Sequence, residues 1–424
     1  MKAKLLALIL VMAATGLAQT PKKEPKPLDR VQVLALLAGG VPSQRIATLV
    51  EQRGIDFDPT EDYLKILGGA GAQEGLLKVL RTAKRTPAPT ADPEIGAKEA
   101  QIQQHLAHGL ELEKQMLYKE AEREYRGALQ LDHGSVTVRP ALGYVLEKQQ
   151  NWEAAIAEWR EVVRVNPGDA YAHISLGADL TEVGDWEGAI AELRKAIRLQ
   201  PNDALAHFNL GVALQKEGKP DGAVAEFRKA TRLDPDDPKG HYNLGTLLSE
   251  TGDHDGAIAE LREAIRLKQG YSPAHVNLGF VLSDKGDLDG AIMEYRRAIR
   301  LQPDDAVVHN NLGSALRKKG DLDGAVTEFQ EAIRLKPDYA SPKYNLGVAL
   351  YDRADLDGAI AQYRAAIRLK PNSPDIHASL ALALEEKGDP AAALDEWRQA
   401  YLLNPTDPRI REAYEMALRR VNRR

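Results

Sequence analysis

Histidine and asparagine are the residues of this 424-residue chain whose spacing invites a chemical reading. His105, His173, His207, His241, His275, His309 and His377 are separated by 34 residues or a multiple of it. Asn209, Asn243, Asn277, Asn311 and Asn345 follow the same interval. A metal needs several converging donors, and the histidine series offers one ring per interval except where His108 stands one turn from His105. The histidines therefore read as packing residues, and neither a metal nor a cofactor is expected. A carboxamide carries donor and acceptor together, so a regular row of asparagines can hold the N–H and C=O groups of an extended peptide. Each such bond contributes ~0.5–1.5 kcal/mol, so the row acts collectively. The chain has no HExxH, GxSxG or Walker A motif and no GxGxxG after a strand. With no cysteine it also lacks a thiolate nucleophile. No catalytic residue is expected, and the chain reads as a non-enzyme.

The interval belongs to the whole sequence. Leu-Gly pairs occur at 142, 176, 210, 244, 278, 312 and 346, and nine units of 34 residues span 102–407. The twentieth position of every unit is alanine, from Ala121 to Ala393, and the eleventh is leucine, from Leu112 to Leu384. The twenty-fourth is large, as in Tyr125, Trp159, Phe227, Phe329 and Trp397. Positions four, eight and eleven share one helix face. Gly184, Gly218, Gly252, Gly286, Gly320 and Gly388 fall where a helix ends in a left-handed residue. Asp185, Asp253, Asp287, Asp321, Asp355 and Asp389 follow as N-caps of a second helix. Proline at the thirty-second position, as in Pro167, Pro201 and Pro303, stops that helix. Glycine at the eighth position and alanine at the twentieth are small so that the two helices can approach. A hairpin of this kind cannot bury its own apolar face, so neighbours must stack into an α-solenoid.

This pattern resembles the tetratricopeptide repeat family, whose period is also 34 residues. The fourth position, often tryptophan in that family, is mostly histidine here, and the eleventh, often tyrosine, is leucine. The resemblance implies an all-α, right-handed superhelix whose concave groove is lined by the first helix, helix A, of each repeat. At ~100° per residue, positions two, six, nine and thirteen lie opposite the packing face, and the family's groove-lining face corresponds to that stripe. The asparagines occupy position six. They resemble the asparagine ladder in the tetratricopeptide superhelix of O-linked N-acetylglucosamine transferase, which holds extended peptide by its backbone. The ninth position is mostly small or apolar, as in Val212, Phe280 and Val348. The thirteenth leans acidic in the later repeats, with Glu250, Asp284, Asp352 and Glu386, which favours a neutral or basic peptide there. The tryptophans lie on the second helix, helix B, and read as core.

The flanks divide the rest. Lys2 and Lys4, an apolar run from Leu5 to Ala14, and the small residues Gly16 and Ala18 read as a signal peptide over 1–18. Residues 19–27 and 86–101 read as linkers, 28–85 as a small four-helix domain, and 408–424 as a capping helix. No apolar run approaches a membrane span. The net charge of −6 lacks the basic footprint of a nucleic-acid binder. The expectation is an exported, periplasmic or extracellular scaffold that binds protein or extended peptide in its groove. An accessory factor in envelope assembly, polysaccharide export or secretion is the competing expectation, and self-association stays open.

Overall fold

The computed structural model describes residues 27–85, 93–133, 135 and 137–422. The expected signal peptide, and the 19–27 linker apart from Pro27, lie outside these residues. The described residues form 23 helices and no strand, in agreement with the all-α expectation. They group into two compact halves, Met1–Glu217 and Gly218–Arg424.

The N-terminal half begins with α1 (Arg30–Ala38), α2 (Ser43–Arg53), α3 (Glu61–Gly69) and α4 (Glu74–Thr82). Asp29 starts α1 with a capping box: its carboxylate accepts the Gln32 N–H at 2.7 Å, and the Gln32 side chain accepts the Asp29 N–H at 3.2 Å. Backbone hydrogen bonds from Leu28 to Gly54, from Ile55 to Lys84 and from Asp56 to Leu28 bring both ends of the module together. Leu34, Ile46, Val50, Leu67 and Leu80 form its fully buried interior.

One boundary differs from the sequence reading. The stretch 86–101, expected as linker, is helical from Pro93 onward, where α5 (Pro93–Lys114) begins. Proline suits the first turn of a helix, and no breaker separates it from helix A of the first repeat. The 28–85 segment carries four helices and packs through α1 onto α5 and onto helix A of the second repeat, Arg139–Lys148.

Each repeat is a pair of antiparallel helices. In the sixth, helix A is Ser272–Asp284 and helix B is Leu288–Leu301. The turn between them follows from two residues. Gly286 takes φ +86°, and Asp287 then accepts the Gly290 N–H at 3.0 Å, capping helix B. Gly290 is glycine because a Cβ there would lie 2.5 Å from that aspartate's Oδ2. Where the fifteenth position is not glycine, the backbone keeps the same conformation: Met116, Gln150 and Ala354 have φ of 58°, 58° and 62°. The close approach of the two helices is visible at Gly313, where a Cβ would meet the Phe329 ring at 2.7 Å. The twentieth-position alanines are fully buried at every repeat.

Neighbouring repeats share one core. Ile360 and Tyr363 of the eighth pack with Ile376, Leu380 and Leu384 of the ninth. The last helix, Pro408–Asn422, buries Ile410 and Ala417 against Trp397 and Ala400. Trp159 and Trp397 are core, as expected, while Trp186 is 40% exposed.

Candidate protein-binding face

The stripe opposite the packing face differs between the two halves. In the second and third repeats of the N-terminal half the chain itself covers part of it, while Leu205, at the second position of the fourth repeat, is 41% exposed. The Gly39-Gly40 turn after α1 lies on the fifth and ninth positions of the second repeat. A Cβ on Gly39 would meet Pro140 at 2.8 Å, and one on Gly40 would meet the Tyr144 ring at 2.7 Å. Only residues without side chains fit so close. The Tyr171 hydroxyl, at the second position of the third repeat, donates to the Gly39 carbonyl at 3.2 Å. Arg45 of α2 pairs with Asp203 and Gln200 and places its guanidinium 5.6 Å from the centre of the Tyr171 ring. These contacts combine apolar burial, an ion pair and a cation–π contact.

Half-buried or buried carboxyl groups lie in the first three repeats. Tyr125 donates to Glu113, and the Trp159 indole N–H donates to Glu147 at 2.8 Å. Burial pushes the Glu113 carboxyl up to about 7, against the pull of the Tyr125 hydrogen bond and Lys148. Burial also raises Glu147 and Asp179, the latter further through the charges of Glu147 and Glu182. Asp179 is buried, and one of its oxygens has no hydrogen-bond partner.

In the C-terminal half some of the same positions are open. Phe280 and Leu382, both ninth-position residues, are 57% and 47% exposed, and Val307, at a second position, is 46% exposed. The asparagines lie beside them, all half-buried, but they differ in what they hold. Asn277 donates to Thr246 Oγ1 at 2.9 Å and to the Tyr242 hydroxyl at 3.4 Å in the preceding repeat. Asn345 donates to Asn310 at 2.9 Å. Asn243 donates to the Lys239 carbonyl of its own helix at 2.8 Å. Asn311 makes no side-chain hydrogen bond among the described residues, and nor does Asn209 of the N-terminal half. Two members of the row thus brace adjacent repeats. The acidic thirteenth-position residues are also engaged: Asp284 with His254 at 3.3 Å, Asp352 with Arg317 at 2.9 Å, and Glu386 with the Tyr351 hydroxyl. This weakens the expected bias toward a basic peptide.

The histidines do more than fill space. His241 Nδ1 lies 2.6 Å from Glu260 of its own helix B, and Nε2 lies 3.1 Å from the Pro235 carbonyl of the preceding repeat. The same triad recurs at His173, His275, His309 and His377. Both ring nitrogens face oxygen acceptors, so satisfying both takes two ring N–H groups or a protonated carboxyl. The sequence held a signal for this pairing. Position four is histidine where position twenty-three is glutamate, Arg139 pairs with Glu158, and Lys343 stands with Gln362. Among the described residues no group of three or more His, Asp or Glu could hold a metal.

Family comparison agrees with this geometry. A model described as TPR repeat matches residues 179–218, 281–318, 313–353 and 349–388. One described as tetratricopeptide repeat matches 141–178 and 210–272. Together they cover more than half of the chain. Comparison with curated proteins gives no match. Among solved structures, MamA is 28% identical, covering 40% of this chain and 92% of its own, with a TM-score of 0.38. PilF of Pseudomonas aeruginosa is 26% identical, covering 51% and 96%, at 0.43. YrrB, described as a TPR protein with an unusual peptide-binding site, is 22% identical, covering 45% and 97%, at 0.39.

Proposed function

The chain belongs to the tetratricopeptide repeat family, and on that premise we propose that it is a non-enzymatic scaffold whose C-terminal half binds a partner polypeptide on the helix-A face. One observation carries the reading. The positions that seat the chain's own helices in the N-terminal half, the ninth and second, hold exposed apolar side chains in the C-terminal half, at Phe280 and Val307. Phe280 and Val307 therefore offer apolar surface where the equivalent residues of the second and third repeats already hold protein. The free carboxamide of Asn311, and the oxygens of Asn243, Asn277 and Asn345, supply polar contacts beside them, and Asn209 extends the row in sequence.

Pull-down from cells compares wild type, Phe280→Glu, and a variant with all five asparagines changed to alanine. Phe280→Glu should lose partner capture without a change in melting temperature, and the five-alanine variant should lose most of it. Equal capture by all three would remove the face from the function. The residues over 1–18 favour action outside the cytoplasm. Fractionation of the full-length protein, with most of it recovered inside the cytoplasm, would reject that part.

A further inference from the structure

Two junctions between repeats form a notch at equivalent positions, and the chain presents it in two states. In the N-terminal half it is built by Asn166, Gly168, Asp169 and Tyr171, with Gln200 at its side, and encloses about 180 Å³. Helix α2 turns one face into it. Arg45, Leu49 and Arg53 stand at i, i+4 and i+8, so they share one side of the helix, and all three line the notch. Arg45 pairs with Asp203 and Gln200. Burial lowers the pKa of the Arg53 guanidinium, and the charges of Asp29 and Asp169 oppose that shift in part. The notch therefore reads a basic, apolar, basic stripe.

Four repeats later the same positions are Gln302, Asp304, Asp305 and Val307, with Lys336 in place of Gln200. They border an open notch of about 620 Å³. Asp305 corresponds to Asp169, so a cation suits the end of the stripe that Arg53 occupies. Val307 corresponds to Tyr171 and is exposed, so the middle of the stripe stays apolar. The acceptors of Arg45 have become Lys336 and Tyr339. A cation there would face the Lys336 ammonium, whereas a carboxylate would complement it.

We propose that the Asp304–Val307 notch docks a helix of a partner protein whose face presents an acidic, an apolar and a basic side chain at three successive turns. This rests on the helix-A face reading and names the ligand chemistry at one of its edges. The same lysine makes the chain's own α2, with Arg45, a poor ligand for this second notch.

The test uses full-length protein and fluorescent, hydrocarbon-stapled peptides of the Ser43–Arg53 sequence, with and without Arg45→Glu, read by anisotropy. The Arg45→Glu peptide should bind about fivefold tighter than the unsubstituted one, the scale of reversing one exposed charge. Val307→Glu in the protein should abolish binding of both peptides. Lys336→Glu should reverse their order. Both protein substitutions sit on exposed side chains, and circular dichroism verifies folding. Peptides that bind alike, or binding that survives Val307→Glu, would overturn the notch. If partner capture still depends on Phe280 in that case, the helix-A face stands without it. If capture ignores Phe280 while the peptides behave as expected, the notch stands and the broader face falls.

Discussion

The two halves carry one repeat pattern, but equivalent positions meet different surroundings. In the N-terminal half, Tyr144 and Tyr171 press against the glycine turn of α1, and Arg45 reaches across to Asp203. In the C-terminal half, Phe280 and Val307 occupy the equivalent positions and face solvent. The difference does not come from the hairpins, whose turns and cores are alike. It comes from sequence outside the repeats, the 28–85 segment, which acts as a resident ligand for one half. On the proposed reading, a few side chains at the second, fifth and ninth positions of helix A decide whether the face takes the chain's own module or a partner.

The largest effect should come from removing the resident ligand. Gly40→Val adds a side chain at φ +71° directly against Tyr144. Backbone strain and overpacking together should cost roughly 3 kcal/mol. Hydrogen exchange should show lost protection in Arg139–Lys148 and Ala170–Glu182 and none beyond residue 218. Uniform loss along the chain would mean that the halves are not distinguished by the docked module.

Raising the pH should separate the halves next. Glu113 binds its proton more tightly in the folded state, with a pKa near 7, than in the unfolded chain. Its stabilising contribution is complete below about 4.5 and declines as pH rises toward 7, at about 1.4 kcal/mol per unit of difference. Glu147 and Asp179 act in the same direction. Thermal melts from pH 5 to 8 should lower the N-terminal transition, and Glu113→Gln should flatten the trend. A fall confined to the C-terminal half would contradict this.

The smallest effect is a matched pair. Gln150→Gly and Ala354→Gly each relieve a left-handed backbone, one in each half. Each should stabilise its own half by about 1 kcal/mol, measured by hydrogen exchange. A gain from Ala354→Gly spread over both halves would show them unfolding as one.

Much of this was readable in advance. The 34-residue interval, the Asp-capped turns and the Gly-to-aromatic contact between helices are local, and each depends on residues within one repeat. The position of the asparagine row was also legible. Its hydrogen bonds were not, because whether Asn277 meets Thr246 or a ligand depends on the neighbouring repeat. The histidine triads were missed for a similar reason. One of their three members comes from the preceding repeat, and the glutamate signal at position twenty-three was hidden among many exposed carboxylates. The start of α5 is not legible because the proline-rich stretch before it resembles a linker, whereas the helix begins at Pro93.

The sequence by itself determined the hairpin, its period, its caps and which residues stand opposite the packing face. These follow from backbone sterics and from side-chain spacing along a helix, which operate over a few residues. Only the tertiary structure decided which part of that opposite face is already filled. The docking of α1 and α2 joins residues more than 100 positions apart, as at Tyr171 and Gly39. It depends on the fit of surfaces, which no single stretch of chain encodes.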